Sequence, residues 1–368
     1  MKKEYRVIAM KNKTIKPGQV WLDTNGKRIQ AHGGSVFYED GVYYFYGENK
    51  EFTDGKSGTI MWGVKCYAST DLCNWEDKGL LIPPDLENPK STLHPTAKAE
   101  RPHIIYNSKT KKYVCFMKVM VPDHTQRTTI LTADSFLGPY EVVREGLFPL
   151  GVSAGDFDLK VDEETGKAYY IFEQVHSQTV VAELTDDYLD LNGVYSTHFH
   201  NGYPPYVREA SAHFIRNGKH YLITSGTTGY YPNPSEVAVA DSWHGPYTIL
   251  GNPHPLDSSN TSYHSQISSV FKVVGKKDLY IACADRWLPE RMFLQYEEYA
   301  SIFESVFNPN IKEKGNWSSL HNLLRNHGID PNCGPNLSIA DYVWLPLRFE
   351  GDMCYIDWKD EWSPEDYD

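Results

Sequence analysis

Cysteine is sparse in this sequence and follows no metal-binding pattern. Six cysteines are scattered along 368 residues, and no two of them form a Cys-x-x-Cys pair. Several lie inside apolar, strand-like runs, so we expect buried free thiols rather than disulfides and no metal site built on cysteine. The positions are Cys66, Cys73, Cys115, Cys283, Cys333 and Cys354.

The chain also lacks an excess of positive charge and any long apolar run. Its net charge is −12, which argues against nucleic acid or an anionic membrane as a partner. The basic start, Met1–Arg6, leads into no long apolar segment, so we expect neither a signal peptide nor a membrane span. These features predict a cytoplasmic protein, or a secreted one if a leader has been trimmed. They leave the oligomeric state open.

Aromatic residues are abundant instead. They make up 14% of the chain, with 26 Tyr and 9 Trp. A chain of this length can bury a large core, as one large all-β domain or as two smaller ones. Tyr and Trp stack well on flat apolar faces such as those of sugar rings, although β-sheets are rich in Tyr in any case.

A strand–turn–strand unit recurs along the chain. The clearest copy runs from Arg208 through an Asn-Gly turn at 217–218 to a return strand that ends near Ser225. Two copies continue into a Gly-Pro-Tyr segment, at Gly138 and Gly245, which we interpret as an outer edge strand. The five copies begin near Ala31, Arg101, Asp156, Arg208 and Ile267.

Five copies of a four-stranded unit predict an all-β fold, a five-bladed β-propeller with its active site in the central funnel. Residues 1–27 form a polar lead-in. Residues 288–336 break the pattern, and we interpret them as an insertion in the last blade, helical at 297–304 and loop-like from 308 to 317. We therefore expect one catalytic propeller domain over residues 1–368 rather than two domains.

The starts of the inner strands carry the residues with chemistry. In a propeller these starts converge on one face of the funnel, so their side chains should line one site. Hydrolysis of a glycosidic bond needs a protonated acid for the leaving oxygen and a second group that activates water. Crowding among like charges raises the pKa of an acid toward the working range. The positions are His32 or Gly33, Glu100, Asp156, Glu209 and Gln266.

Other polar residues have plainer interpretations. Asp158 is expected to be an ordinary polar partner, and residues 162–164 a solvated turn rather than a calcium loop. Glu48 either ends its strand or, because it follows Tyr46-Gly47 at the funnel side, has a functional role. Four histidines lack the short spacing of metal ligands, so we predict hydrogen-bonded histidines, no metal and no cofactor. They are His32, His103, His213 and His264.

Seven short motifs follow one another from about Asp23 to Trp362, which is nearly the whole chain. Each motif alone is weak, but their order is fairly specific. They are Gln30-Ala31-His32-Gly33-Gly34, Tyr46-Gly47-Glu48, Glu100-Arg101-Pro102, Arg208-Glu209-Ala210, Thr227-Thr228-Gly229-Tyr230, Asp285-Arg286-Trp287 and Tyr342-Val343-Trp344-Leu345-Pro346. In this order they resemble glycoside hydrolase family 43 and, within it, the exo-β-1,3-galactanase branch.

The resemblance implies catalytic roles for three residues. Glu209 matches the general acid, and Asp156 matches the acid that orients it and tunes its pKa. Most of the family opens the first blade with an Asp-Pro that supplies the general base. Here Gly33-Gly34 stand in its place, a loss that the galactanase branch shares.

In that branch a Gln at the start of the fifth blade is proposed to hold the water, and Gln266 matches it. A neutral amide is a very poor proton acceptor, so Gln266 could act only by positioning water or through its imidic tautomer. We expect Gln266 to face Glu209 across the funnel, at the roughly 6.5–9.5 Å that an inverting site requires. Hydrolysis would then invert the anomeric centre.

The resemblance also implies a set of sugar contacts. Glu100 and Glu48 match sugar-binding carboxylates, and Thr227 and Tyr230 match contacts to a terminal galactose, with Tyr230 standing where Trp is expected. The branch usually carries a sugar-contacting Tyr after the second strand of the second blade. Residues 122–126 occupy that region here, so His124 is expected to replace it. His32 completes the predicted substrate-binding set.

Three functions remain open on the sequence. The first is an inverting, exo-acting galactosidase on β-1,3-galactan or arabinogalactan-type chains. The second is another exo-glycosidase of the same family, such as an α-L-arabinofuranosidase or a β-xylosidase. The third is a catalytically silent sugar-binding propeller, motivated by the missing Asp at Gly33. In each case the expected partner is an oligosaccharide or polysaccharide.

Overall fold

The computed structural model describes residues 11–121 and 123–368. Within them, the strands form five antiparallel sheets of four, and each sheet takes its strands consecutively from the chain. Blade 1 comprises β1 His32–Glu39, β2 Val42–Glu48, β3 Val64–Ser69 and β4 Glu76–Ile82; blade 2 comprises β5 Lys98–Asn107, β6 Lys112–Met120, β7 Gln126–Ala133 and β8 Glu141–Leu147; blade 3 comprises β9 Ala154–Val161, β10 Ala168–Gln174, β11 Gln178–Leu184 and β12 Leu191–His198. Blade 4 comprises β13 Arg208–Arg216, β14 Lys219–Gly226, β15 Glu236–Ala240 and β16 Thr248–Gly251; blade 5 comprises β17 Gln266–Lys272, β18 Tyr280–Arg286, β19 Asp341–Glu350 and β20 Met353–Ile356.

The five sheets are arranged around a central axis. The first strands of neighbouring blades, β1, β5, β9, β13 and β17, contact one another in a closed ring. They are therefore the innermost strands, and their starts lie around the funnel. The predicted five-bladed propeller is confirmed.

The middle strands of the blades are buried on both faces, which explains their continuous apolar runs. In β6, Cys115 and Met117 belong to the apolar cluster shared with blade 1. The alternate residues Val114 and Phe116 belong to the cluster shared with blade 3. Outer strands such as β8 have only one covered face and are mostly exposed or half-buried.

The two ends of the described chain meet beside blade 5. Ile15 and Trp362 form an isolated antiparallel bridge, and Nη2 of Arg28 lies 2.5 Å from the Asp341 carboxylate. No strand from the start of the described chain joins the sheet of blade 5. Side chains, one bridge and a 2.7 Å backbone hydrogen bond from Gly18 to Tyr342, rather than a shared sheet, link the two ends.

Two helices stand between β18 and β19. They are α1 Tyr296–Phe307 and α2 Ser318–Asn326, and α1 begins with a capping box between Gln295 and Glu298. The helix predicted at 297–304 is confirmed by α1, whereas α2 was not indicated by the sequence. Single 3-10 turns lie at Pro149–Gly151, Pro289–Arg291, Leu337–Ile339 and Pro364–Asp366.

The two predicted Gly-Pro-Tyr edge strands are wrong by a few residues. Both motifs lie in the turns that precede β8 and β16, which begin at Glu141 and Thr248. Gly138 and Gly245 have φ of 84° and 76°, and the proline that follows each has no N–H for a ladder hydrogen bond. The motif therefore turns the chain into the edge strand without being part of it.

All six cysteines are free, and four of them are buried, so the prediction of free thiols is confirmed. Among the described residues, no helix is both long enough and apolar enough to cross a membrane. Residues 1–10 of the predicted lead-in lie outside the described part of the chain. The single-domain organisation, with its lead-in and insertion, stays an interpretation.

Candidate active site

Three inner strands begin with the same backbone irregularity. A bulge interrupts the register of β1, β5 and β13 near its start, and one residue in each bulge has a positive φ. These residues are Gly33, Arg101 and Ala210, with φ of 60°, 52° and 51°. A bulge redirects the neighbouring side chains, and Glu100 and Glu209, directly before two of these residues, line the central cavity.

This cavity has a volume of about 860 Å³ and receives acidic residues from four blades. Glu48 comes from the end of β2, Glu100 from β5, Asp156 from β9 and Glu209 from β13, all of them lining residues. Gln266, the first residue of β17, lies on the same wall. The structure thus brings together five of the residues selected from the sequence.

Two cations hold Asp156 and Glu100 as carboxylates. Nζ of Lys118 lies 2.6 Å from Asp156 and 2.7 Å from Glu100, and Nε of Arg101 lies 2.7 Å from Asp156. Burial favours the protonated form of Asp156, but Arg101 and Lys118 outweigh it and lower its pKa to about 2. Burial is likewise outweighed at Glu100, where Lys118 and Lys50 lower the pKa. Both groups are therefore ionised at neutral pH.

Glu48 is held from two sides. Its carboxylate lies 2.5 Å from Nζ of the buried Lys50 and accepts a 2.9 Å hydrogen bond from the backbone amide of Arg101. Burial and the negative charge of Glu100 nevertheless raise the pKa of Glu48, against the opposing effect of Lys50. Lys50 therefore does not fully offset the burial and the neighbouring charge that favour the protonated form of Glu48.

Glu209 differs from these three acids because, within the described residues, no Lys or Arg forms an ion pair with it. Its hydrogen-bond partner is the amide of Gln266, whose Nε2 lies 3.2 Å from Oε1. Burial, followed by the negative charges of Asp156 and Glu173, raises the pKa of Glu209 well above its usual range, against Lys118 and Arg101. Glu209 is thus the acid of this group that keeps its proton most strongly.

Gln266 is held by four hydrogen bonds. Its Oε1 accepts from Nη2 of Arg101 and from Nε1 of Trp287, each at 3.1 Å. Because both partners can only donate, they fix which end of the amide is the oxygen. Nε2 must then donate, and it does so to Glu209 and to Oγ of Ser225, at 3.2 and 3.0 Å.

The expected separation of Glu209 and Gln266 is wrong for this structure. Their side chains are in direct contact, at 3.2 Å, instead of roughly 6.5–9.5 Å apart across the funnel. The reason is that β13 and β17 belong to neighbouring blades and contact each other, so both side chains reach the same wall.

Two further predicted sugar contacts also line the cavity. The hydroxyl of Tyr230 donates to Glu100 at 3.0 Å, and the Tyr230 ring lies 5.3 Å from that of Trp287. Burial and the charge of Glu100 raise the pKa of Tyr230 well above its usual value, so the hydroxyl stays protonated. Thr227 is buried and donates to the carbonyl of Val207 at 3.0 Å.

The two histidines predicted to bind substrate lie elsewhere. His32 is completely buried, stacks on Tyr342 and pairs with Asp285 at 2.9 Å, so the predicted direct sugar contact is wrong. The neighbours of His32 come from blade 5, with the rings of Tyr342 and Trp287 at 4.7 and 5.7 Å from its own. His124 is exposed in the β6–β7 turn and is not among the cavity-lining residues, whereas Gln126, two residues later, is buried and lines the cavity.

Asp158, His103 and His213 have structural partners, whereas Nδ1 of His264 is buried without a hydrogen-bond partner among the described residues. Asp158 is fully buried, contacts His103 at 3.0 Å and accepts the backbone amide of His213 at 2.7 Å, as expected for an ordinary polar partner. In the described part of the chain, no group of three or more His, Cys, Asp or Glu is arranged to hold a metal ion.

The position of the missing base is closed to any side chain. A Cβ at Gly33 would lie 2.5 Å from Oε1 of Glu48, and a Cβ at Gly34 would lie 2.0 Å from the carbonyl oxygen of Tyr46. Glu48 cannot withdraw easily because Lys50 and the Arg101 amide hold it. The absence of an acid here is therefore coupled to the presence of Glu48.

Several residues that shape the site were missed by the sequence analysis. Arg101 and Trp287 stand inside motifs that were recognised, but their contacts to Gln266 join residues far apart in the chain. Lys118 gave a usable signal, since it is the one cation in the interior of the apolar strand β6, whose other lysine, Lys112, is its first residue. Glu173, near the end of β10, is buried and acts on Glu209 through its charge.

The comparisons with known proteins agree with this architecture. The sequence profile of glycosyl hydrolases family 43 matches residues 29–291, more than half of the chain. None of the curated proteins matches the sequence significantly.

Several solved structures are similar over nearly the whole chain. A GH43 β-1,3-galactosidase shares 27% identity at a TM-score of 0.74, and the alignment covers 97% of this chain and 64% of the other. The present chain thus spans 64% of the length of that protein. A second GH43 β-1,3-galactosidase, solved with galactodeoxynojirimycin, shares 27% identity at a TM-score of 0.73, with coverages of 95% and 100%.

An exo-β-1,3-galactanase from Phanerochaete chrysosporium, solved with β-1,3-galactotriose, has a TM-score of 0.74 and coverages of 95% and 68%. Its identity is 23%, so this likeness concerns the fold alone. The family profile covers more than half of the chain and decides the family. The chain belongs to glycosyl hydrolases family 43.

Proposed function

We propose that the protein is an exo-acting galactosidase that removes galactose from the ends of β-1,3-galactan or arabinogalactan-type chains, with inversion of the anomeric centre. Family membership supplies the coarser statement, a glycoside hydrolase with a carbohydrate substrate. The β-1,3-galactosidases that share 27% identity support the choice of galactose.

One observation carries the catalytic proposal: among the residues that the structure describes, Glu209 is the cavity acid without an ion pair. The same cavity holds Asp156 as a carboxylate with a pKa of about 2 and raises the pKa of Glu209 well above its usual value. When the pKa values of two neighbouring carboxyl groups are driven apart, one group stays protonated as the acid and the other stays ionised. Glu209 is accordingly the general acid, and Asp156 maintains its pKa.

The hydrogen bond from Gln266 defines where the catalytic proton sits. Because Nε2 of Gln266 donates to Oε1 of Glu209, Oε1 acts as the acceptor and the proton belongs on Oε2. In our proposal Oε2 donates this proton to the glycosidic oxygen as its bond to the anomeric carbon breaks. A water molecule attacks that carbon from the opposite face and releases its proton to solvent, and Glu209 is reprotonated from solvent. Gln266 is then a positioning residue for the acid.

The terminal galactose is proposed to occupy the inner, polar end of the cavity. Glu48, Glu100 and Lys118 would bind its hydroxyl groups there, and Tyr230 and Thr227 would border it. These residues are held by one another or by Arg101 and Lys50, so the pocket is largely preorganised. In this proposal the inner end accommodates one terminal sugar, which gives exo-action.

Inversion is supported by chemistry more than by distance. An amide cannot form a glycosyl ester, so Gln266 cannot be the nucleophile of a retaining mechanism. The water-holding role predicted for Gln266 stays a prediction. In this structure both lone pairs of its Oε1 accept hydrogen bonds from Arg101 and Trp287, so they are not free to hold a water molecule. Proton NMR of the fresh product decides the stereochemistry: α-galactose must appear first, and β-galactose first would contradict inversion.

The function is tested with β-1,3-galactobiose and with nitrophenyl β-galactoside, α-L-arabinofuranoside and β-xyloside. We expect release of galactose from the first two and little release from the others. The variant Glu209→Gln should lose at least about a hundredfold in kcat on galactobiose, as expected for loss of a general acid, while still binding galactose. Glu183→Gln removes a buried acid outside the cavity and is the matched control. Wild-type rates in Glu209→Gln would remove Glu209 from the mechanism.

A further inference from the structure

The two helices between β18 and β19 are tied to several other blades. The hydroxyl of Tyr206, before β13, donates to Glu304 of α1 at 2.9 Å. The amide of Leu337 donates to the carbonyl of Thr53, after β2, at 2.9 Å. The ring of Phe307 lies 5.6 Å from that of His176, after β10. The insertion therefore extends across the mouth of the funnel from blade 1 to blades 3 and 4.

The helices give the cavity an apolar wall. The side chains that α1, α2 and the residue before α2 contribute to its lining are all apolar, unlike the acids and Lys118 at the inner end. Three of them are buried in the packing between the helices, while Phe307 and Trp317 stay half-buried. The set is Phe303, Phe307, Trp317, Leu320 and Leu324.

This wall lies on the side of the general acid. Glu173 belongs to β10, which contacts β13, the strand that carries Glu209. Oε1 of Glu173 accepts the backbone amide of His176 at 2.7 Å, and His176 in turn contacts Phe307. Phe307 and Trp317, whose ring centroids are 6.2 Å apart, therefore line the cavity on the side of Glu209.

We propose that Trp317 and Phe307 form a second sugar subsite, which binds the residue on the leaving-group side of the scissile bond. Aromatic rings bind the apolar C–H face of a pyranose by burying it. A cavity of about 860 Å³ is in the range that encloses a drug-sized ligand, so it has room beyond one sugar ring. The inference deepens the proposed galactosidase function and rests on it.

The test compares two substrates that share the terminal galactose. β-1,3-Galactobiose has a leaving-group sugar, whereas β-galactosyl fluoride has only a fluoride ion there. In Trp317→Ala we expect kcat/KM for galactobiose to fall about tenfold or more, the size of one stacking contact with its buried area. The fall for galactosyl fluoride should be much smaller. Trp317→Phe, which keeps a ring, should recover most of the loss.

Leu323→Ala is the control for helix packing, because Leu323 packs in the same helical cluster but does not line the cavity. Its kcat/KM on both substrates should equal that of the wild type. Equal losses on the two substrates in Trp317→Ala, or no loss on galactobiose, would overturn the subsite. A wild-type enzyme that cleaves neither galactosyl substrate would instead overturn the proposed function, so the two failures are distinguishable.

Discussion

At the scale of single residues, the cations in the cavity decide which carboxyl group keeps its proton. Lys118 touches Asp156 and Glu100, and Arg101 touches Asp156, but neither forms an ion pair with Glu209. The same two cations act on Glu209 only from a distance, where burial and Asp156 outweigh them. Asp156 and Glu100 are thereby kept ionised, while Glu209 keeps its proton.

The first prediction concerns Asp156→Asn. The change removes a negative charge beside Glu209 and leaves Arg101 and Lys118 with uncompensated positive charge, so the pKa of Glu209 must fall. Since the general acid is active when protonated, the basic limb of the kcat/KM profile on β-1,3-galactobiose should move to lower pH. The pH–rate profile of the purified variant measures this shift.

Glu173→Gln should move the same limb in the same direction, because Glu173 is the next negative charge that acts on Glu209. Glu183→Gln should leave the profile in place. If Asp156→Asn shows an unchanged basic limb, Asp156 does not tune the acid.

The second prediction separates two roles for Gln266. If Gln266 positions the proton of Glu209, then Gln266→Ala should damage substrates that need protonation of the leaving group far more than those that do not. We expect a loss of about a hundredfold or more in kcat/KM on β-1,3-galactobiose and a much smaller loss on dinitrophenyl β-galactoside. A residue that holds the attacking water would instead cause similar losses on both substrates, and that result would restore the water-holding role.

At the scale of strands and helices, the sequence predicted what local pattern controls. Strands that alternate large apolar and polar residues on either side of Asn-Gly and Asp-Gly turns predicted the hairpins. The recurrence of these hairpins predicted the number of blades. Bulges with a left-handed residue occur at Gly33, Arg101 and Ala210. Those at Arg101 and Ala210 could not be predicted, because Arg and Ala, unlike Gly, do not indicate a left-handed backbone.

The contacts within the site were equally hidden. Lys118 reaches Asp156 across 38 positions of sequence, and no local pattern encodes such a pairing. The helix α2 escaped notice because its polar, Asn- and Ser-containing sequence has low helix propensity. The starts of the inner strands, in contrast, were accessible from the sequence, since the fold alone brings them together.

The third prediction is that Gly33→Asp does not restore a base. A Cβ at Gly33 would lie 2.5 Å from Oε1 of Glu48 on a backbone with φ of 60°, and the new carboxylate would face Glu48. We expect kcat on galactobiose to fall and the free energy of unfolding to drop by more than the roughly 1–2 kcal/mol of a left-handed non-glycine residue.

Gly41→Asp is the matched control, since Gly41 has φ of 86° and nothing within 4 Å of its Cβ position. It carries the backbone strain without the crowding and should lose less stability. Urea unfolding of both variants gives the comparison, and a Gly33→Asp protein with higher activity and unchanged stability would contradict the argument.

At the scale of the whole molecule, buried neutral histidines make the fold sensitive to acid. His254 is buried, and burial lowers its pKa from the usual 6.5 to about 4, against the opposing charge of Asp257. A depressed folded pKa means that the stabilisation is complete above pH 6.5 and is lost as pH falls toward 4, because the unfolded chain binds the proton first.

The fourth prediction follows from this window. Between pH 7 and pH 5, His254 alone should reduce the free energy of unfolding by about 2 kcal/mol. In His254→Gln the difference between the two pH values should shrink by a similar amount, as measured by urea unfolding at each pH. An unchanged difference would mean that His254 is accessible to protons in the folded protein.

The way the ring closes has a consequence for how the protein is made. Within the described residues, each blade uses its own consecutive strands. The last blade supplies Gln266, which donates to the proposed acid Glu209, and Trp287, which holds Gln266. During synthesis Glu209 is therefore made well before Gln266 and Trp287, the residues that orient it. On this assignment, hydrolysis is withheld until the first two strands of blade 5 have been made and β17 has packed against β13. The return of activity during refolding then reports this packing step.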